Sequence, residues 1–172
     1  TVPFLRSVTT SNDYAILADV VEEVILEYKK IGKEFEFLCC ILATAPLISY
    51  KKLRCTFELL VSSGADSVVP IVRFDYPIQR ALKIVDEKLM MIWPENLNIR
   101  SQDLEDTYHD SGQFFWIRVN SFLKQKTFFT KNTLAFKLPE LEVQDIDVPE
   151  DWAVAEIKYR LLKNGAFYKR KN

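Results

Sequence analysis

The sequence predicts an α/β fold with a parallel central sheet. Helical and strand patterns alternate between residues 13 and 74, one strand is a continuous apolar run of the kind buried on both faces, and a helical pattern returns near the carboxyl end. From Asp13 to Ile31, apolar residues recur at Ile16, Leu17, Val20, Val21, Val24, Ile25 and Tyr28, which is helical spacing, with Asn12 or Asp13 as the cap and Gly32 as the stop. "FEFLCCIL" at 35–42 is the apolar run, bounded by charge on one side and "TAP" on the other, and predicts a parallel central strand. Helical spacing over 49–62 ends at Gly64, and "ADSVVPIVRF" at 65–74 predicts the next strand. Beyond Phe74 the rhythm changes. "ALKIVDEKLMMI" at 81–92, "GQFFWIRV" at 112–119 and "TLAFKL" at 133–138 predict strands without full helices between them. A helix over 149–163 restores the α/β style, and the tail "YKRKN" is expected to fray.

Composition narrows the functional classes. With 172 residues, 48% hydrophobic and 27% charged, the chain suits one compact domain, 1–172, with its own core. A net charge of −1 gives no field that would gather nucleic acid or an anionic membrane. The longest apolar run, 37–48, is broken by Thr44 and Pro46 and is too short for the ~30 Å of a bilayer core. Three cysteines, two of them adjacent at 39 and 40, form neither a disulfide framework nor a spaced zinc set. With no signal-peptide pattern, the reading is cytoplasmic.

Two polar stretches carry candidate chemistry. In "EVQDIDVPEDW", 142–152, a strand would present Asp145 and Asp147 on one face while Ile146 turns inward. Paired carboxylates suit Mg²⁺, which takes hard oxygen ligands and commonly combines one or two carboxylates with substrate phosphates. The same residues also fit a helix start: Pro149 belongs at a first helical position, Glu150 and Asp151 favour the positive end of the dipole, and Asp147 or Val148 flanks the cap. "RSQDLEDTYHDSGQFFW", 100–116, holds His109, the only histidine, among four acids. On chemistry alone it is either a surface hydrogen-bonding loop or part of a site, since no Ser or Cys nucleophile has evident spacing to it.

Taken together and in this order, "CCILATAPL", "YPIQRALKI", "RSQDLEDTYHDSGQFFW" and "VQDIDVPEDWAVAE" resemble the pseudaminic acid cytidylyltransferases, a branch of the CMP-sialic acid synthetase family, along nearly the whole chain. The resemblance implies a Rossmann-like nucleotidyltransferase with a parallel sheet. It implies an enzyme joining CTP to a nine-carbon acidic sugar with Mg²⁺ bound alongside CTP: the anomeric hydroxyl attacks the α-phosphate and pyrophosphate leaves. Asp145 and Asp147 would be the metal site. Arg6 would lie near the nucleotide, although Ser7 stands where the family has proline. Gln79, Gln102, Tyr108, His109, Gln113 and Phe115 would face the sugar. His109 and Ser111 stand where sialic acid enzymes have Arg and Asn, and His109, Gln113 and Phe115 argue for pseudaminic rather than sialic acid; Leu42 fills the place of the sugar-facing glutamine.

Family members also carry a glycine-rich basic loop that grips the triphosphate through backbone N–H groups. These 172 residues contain no such loop and only four glycines. The expectation is therefore an N-terminally truncated cytidylyltransferase with little turnover of its own. A sugar-binding or assembly protein that keeps the fold, and a plain structural partner, are the competing classes. The resemblance further implies a homodimer, with residues of about 75–128 forming a β-rich dimerisation insertion. Met90, Met91, Trp93, Phe122, Phe128 and Phe129 are either its contact residues or core.

Overall fold

A computed structural model describes residues 2–164, so the tail "YKRKN" lies outside the described residues. The first helix, α1 (Leu17–Lys30), begins four residues later than the apolar spacing suggests. Asn12 caps a turn instead, its Oδ1 accepting the Tyr14 N–H at 2.8 Å, and Ile16 at the helix N-cap makes no side-chain bond. Gly32, at φ 75°, ends the helix as expected. Strand β1 (Phe37–Ile41) follows. Helix α2 (Tyr50–Ser63) then runs to Gly64, whose left-handed φ of 69° closes it.

Strand β2 (Ser67–Arg73) is the centre of the molecule, buried at every position except Ile71 and Arg73. Residues 81–92, expected as one strand, fold back into β3 (Leu82–Val85) and β4 (Lys88–Met91), a two-stranded sheet of their own. The turn between them is made by Asp86 and Glu87 at φ 48° and 62°. Such left-handed pairs usually place Gly second, after Asn, Asp or Gly, so Glu87 in that place leaves no turn signal. Next come β5 (Tyr108–Asp110), β6 (Phe114–Arg118) and a short helix, α3 (Val119–Gln125), that the aromatic run concealed. Strand β7 (Thr133–Lys137) and helix α4 (Pro149–Lys163) complete the chain, α4 at the expected bounds.

The main sheet is mixed. β1 pairs antiparallel with β6, β6 and β5 pair antiparallel with β2, and β2 pairs parallel with β7. The apolar run at β1 therefore has an antiparallel neighbour, Cys39 lying opposite Trp116, where the sequence suggested a parallel one. Even so, β1, β2 and β7 all run the same way, because β6, between β1 and β2, is antiparallel to both and β7 is parallel to β2.

Alternation along β2 feeds two cores. Val69 joins Val21 and Ile25 of α1 with Phe115, Ile117, Phe122 and Phe128 on one face. Val68 joins Leu60 of α2 with Trp116, Leu134 and Phe136 on the other. Phe122 and Phe128 are thus core residues, 1% and 6% exposed, whereas Met90 and Phe129 remain open at 49% and 59%. No helix among the described residues is long and apolar enough to cross a membrane.

Candidate functional site

The site begins with an interruption in one strand. Between the pairs Val68↔Trp116 and Ile71↔Asp110, β2 supplies two residues while its partner supplies five. The excess is absorbed by a bulge at Ser111, Gly112 and Gln113, which separates β5 from β6. Bulges of this kind re-aim side chains and locally end pairing. Opposite it stands Pro70, which has no N–H to offer and is tolerated in a central strand where the ladder is already broken. Its carbonyl accepts the Ser111 N–H at 2.9 Å, and the Gln113 carbonyl accepts the Leu42 N–H beyond β1 at 2.9 Å.

Inside the bulge, Asp110 turns its carboxylate back to accept the Gly112 N–H at 3.1 Å. Gly112 adopts φ 62°, and a Cβ placed there would stand 2.9 Å from Asp145 Oδ2 and 3.1 Å from its Cγ. Gln113 is 3% exposed. Its Nε2 donates to the Glu142 carbonyl at 2.7 Å. The bulge and residues 142–145 therefore form one unit. Between them and Glu140 lies a cavity of about 380 Å³, lined by His109, Asp110, Ser111, Gly112, Glu140, Val143, Gln144 and Asp145.

Residues 143–148 belong to no strand, so the expected strand geometry of Asp145 and Asp147 does not hold. The segment follows a short 3-10 turn at Glu140–Glu142 and is fixed by side chains in place of a ladder. Lys158 of α4 donates to the Val143 carbonyl at 2.6 Å and reaches the Glu140 carboxylate at 2.8 Å. Asp151, rather than Asp147, starts α4, its Oδ2 accepting the N–H groups of Asp147 and Val148 at 3.0 Å each. The cap therefore leaves the Asp147 carboxylate exposed and uncommitted, while Asp145 Oδ1 accepts only the adjacent Ile146 N–H at 3.1 Å. The described residues hold no cluster of three or more His, Cys, Asp or Glu side chains able to bind a metal ion. Of the two carboxylates, Asp145 lines the cavity and Asp147 does not; a hard oxygen donor of this kind is what Mg²⁺ takes, the rest of its shell coming from water and ligand oxygens.

His109 is exposed at the cavity rim, its ring 4.8 Å from that of Phe74 and tilted 54° to it. Its Nδ1 lies 2.7 Å from the Asp110 carbonyl. A carbonyl only accepts, so Nδ1 carries the proton and Nε2 is left for a ligand. The other expected sugar-facing residues are dispersed. Tyr108 accepts a hydrogen bond from Lys137 Nζ at 2.6 Å. Gln79 donates to the Glu105 carbonyl at 2.9 Å, with its Oε1 buried and unpartnered. Gln102 is exposed on a 3-10 turn, and Arg6 is exposed near the amino end. Phe115 lies in the core, its ring 4.6 Å from Phe128. Sequence reasoning noted Ser111 only as a replacement for the Asn of sialic acid enzymes and gave it no place in the site, yet it lines the cavity. Its hydroxyl is buried and without a hydrogen-bond partner, and its position in a bulge leaves no mark in a single sequence.

No protein-family model matches the chain. It is 31% identical over 166 residues to the pseudaminic acid cytidylyltransferase of Campylobacter jejuni subsp. jejuni serotype O:2, an alignment covering 96% of this chain and 72% of that protein. The pseudaminic acid cytidylyltransferase of serotype O:23/36 matches at the same identity and coverage. The N-acylneuraminate cytidylyltransferase A of Danio rerio is 31% identical over 171 residues, covering 96% of this chain and 37% of that protein.

Proposed function

Because the chain belongs to the family of pseudaminic acid and N-acylneuraminate cytidylyltransferases, we propose that it serves the activation of a nine-carbon acidic sugar by CTP. The observation that carries this reading is the cavity that joins His109 to Asp145, two residues from separate sequence blocks. In the reaction, the anomeric oxygen of pseudaminic or sialic acid forms a bond to the α-phosphorus of CTP. The bond from that phosphorus to the β-phosphate bridge breaks, pyrophosphate leaves, and the hydroxyl proton passes to solvent water. Asp145 and Asp147 would hold Mg²⁺, which supplies charge neutralisation at the phosphates. Nε2 of His109 accepts a hydrogen bond from a sugar hydroxyl, and the Ser111 hydroxyl offers a second polar contact from the cavity wall. Asp110 and Gln113 keep these groups in place through the backbone bonds of the bulge.

The common direction of β1, β2 and β7 supports a Rossmann-like frame, with ligands beyond the carboxyl ends of these strands. The β3–β4 hairpin supports a dimer arm. Leu82, Ile84, Leu89 and Met90 are 49–75% exposed on it, more apolar surface than an isolated hairpin sustains in water. Sedimentation should give twice the 20.1 kDa chain mass, and a monodisperse monomer at high concentration would exclude the arm. A cytoplasmic location belongs to the same reading, as that of an enzyme using CTP.

A second reading is a sugar-binding or assembly protein that keeps the fold. Both readings predict that the chain binds the acidic sugar, and they differ on turnover. Calorimetric titration with pseudaminic acid, followed by a pyrophosphate-release assay with CTP and Mg²⁺, tests them. Both readings expect sugar binding, and pyrophosphate release marks the transferase. Release abolished by Asp145→Asn establishes the transferase, and failure to bind the sugar removes both readings.

A further inference from the structure

We infer that the bulge between β5 and β6 is a positioning device for the Asp145 carboxylate, with Gly112 as its seat and Gln113 as its anchor. This rests on the proposed metal role of Asp145 but reassigns Gln113, which the sequence placed against the sugar. Four observations carry the inference. The Gly112 Cα is bare at the point where any Cβ would come within 2.9 Å of Asp145 Oδ2. Gln113 is 3% exposed and gives its Nε2 to the Glu142 carbonyl at 2.7 Å, three residues before Asp145. Asp110 stabilises the turn by accepting the Gly112 N–H at 3.1 Å. Finally, the loop carrying Asp145 has no ladder to hold it, so its placement depends on such side-chain and backbone ties.

The arrangement uses two properties of the bulge. A left-handed residue without a side chain lets the carboxylate approach the backbone, and a buried amide fixes the distance between the bulge and residues 142–145. Groups that orient a metal ligand without touching the metal typically change affinity by about 10–100-fold when altered. Gly112 and Gln113 are positioning residues of this kind.

Gly64 supplies an internal control. It has a similar positive φ, 69°, but a Cβ there would meet nothing within 4 Å. Gly64→Ala and Gly112→Ala therefore carry comparable backbone strain, and only the second displaces Asp145. The experiment titrates Mn²⁺ into the 172-residue chain and its Gly112→Ala, Gln113→Glu, Gly64→Ala and Asp145→Asn variants. In parallel, it records the backbone amide resonance of Ile146, whose N–H donates to Asp145 Oδ1. Gln113→Glu keeps the size of the side chain but removes its donor.

The expected result is a loss of Mn²⁺ affinity of roughly tenfold or more in Gly112→Ala and Gln113→Glu. Both should shift the Ile146 resonance, and Gly64→Ala should change neither readout. Equal Mn²⁺ affinity and an unmoved Ile146 signal in Gly112→Ala overturn the inference. Equal losses in Gly64→Ala overturn it as well, because strain alone would then account for the effect. If Asp145→Asn retains Mn²⁺ binding while Gly112→Ala still moves Ile146, the positioning role stands and the metal role of Asp145 falls.

Discussion

Both the β3–β4 hairpin and the β5–β6 bulge break the α/β rhythm within residues 75–128, yet they are built in opposite ways. The bulge is flanked by Phe114 and Ile117, each 1% exposed, and it is tied to distant segments by hydrogen bonds from Ser111, Gln113 and Leu42. The hairpin pairs only with itself and leaves Ile84 75% exposed. An irregularity held by the core can keep polar groups at fixed distances, which a site requires. One that the core does not hold presents apolar surface, which suits a contact with another molecule.

Truncating a side chain in each region tests this contrast most severely. Phe114→Ala should cost about 3–5 kcal/mol of unfolding free energy through lost burial and a residual cavity, whereas Ile84→Ala in the monomer should stay within about 0.5 kcal/mol. Denaturant midpoints measure both, and comparable losses would erase the distinction.

Next in size is the chemistry beside the bulge. In a form of the enzyme that turns over, Asp145→Asn should lower pyrophosphate release by about a hundredfold or more while the thermal midpoint stays near that of the parent. Asp147 and Asp151 then separate charge from capping. Asp151→Ala removes the acceptor of two N–H groups at the start of α4 and should cost about 1 kcal/mol. Asp147→Ala should leave stability unchanged, because its carboxylate caps nothing. A larger stability loss at Asp147 would restore the helix-cap role that the sequence left open.

The smallest effect concerns pH and lies in the packed half of the molecule. Asp66 accepts hydrogen bonds from Ser121 at 2.7 Å, Thr130 at 3.1 Å and Gln125 at 3.2 Å. These bonds, Ser121's first, hold its carboxyl below the ordinary range against the opposing effect of desolvation. With a folded pKa below the unfolded value of about 3.9, its contribution is complete above that value and is lost as pH falls through the folded one. Asp66→Asn should flatten the acid limb of stability against pH, and an unchanged limb would place the sensitivity elsewhere.

The sequence disclosed those elements whose signals are local. Pro149 with Glu150 and Asp151 marked α4, and Gly32 and Gly64 marked the ends of α1 and α2. Strand direction is not local. The apolar run at β1 reads the same whichever way its neighbour runs, and that neighbour, β6, lies more than 70 residues away. The hairpin stayed hidden because Glu87 takes a left-handed position that Gly normally fills. At the site, Asp145 and His109 were legible as residue types. Their meeting was not, because it depends on Gly112 and on a register shift that no spacing encodes.

Pro70 has a consequence for how the chain finds its pairing. In an extended strand, the N–H and C=O of one residue face the same neighbour, so Pro70, whose carbonyl receives Ser111, lacks its donor on the bulge side. A partner strand continuing along β2 from Trp116 in the β6 register would set Phe114 opposite Pro70 and leave one ladder bond unmade. The observed pairing resumes instead beyond Pro70, where Asp110 meets Ile71. Proline at this position thus disfavours a slipped sheet in which β5 would follow β6 without the bulge.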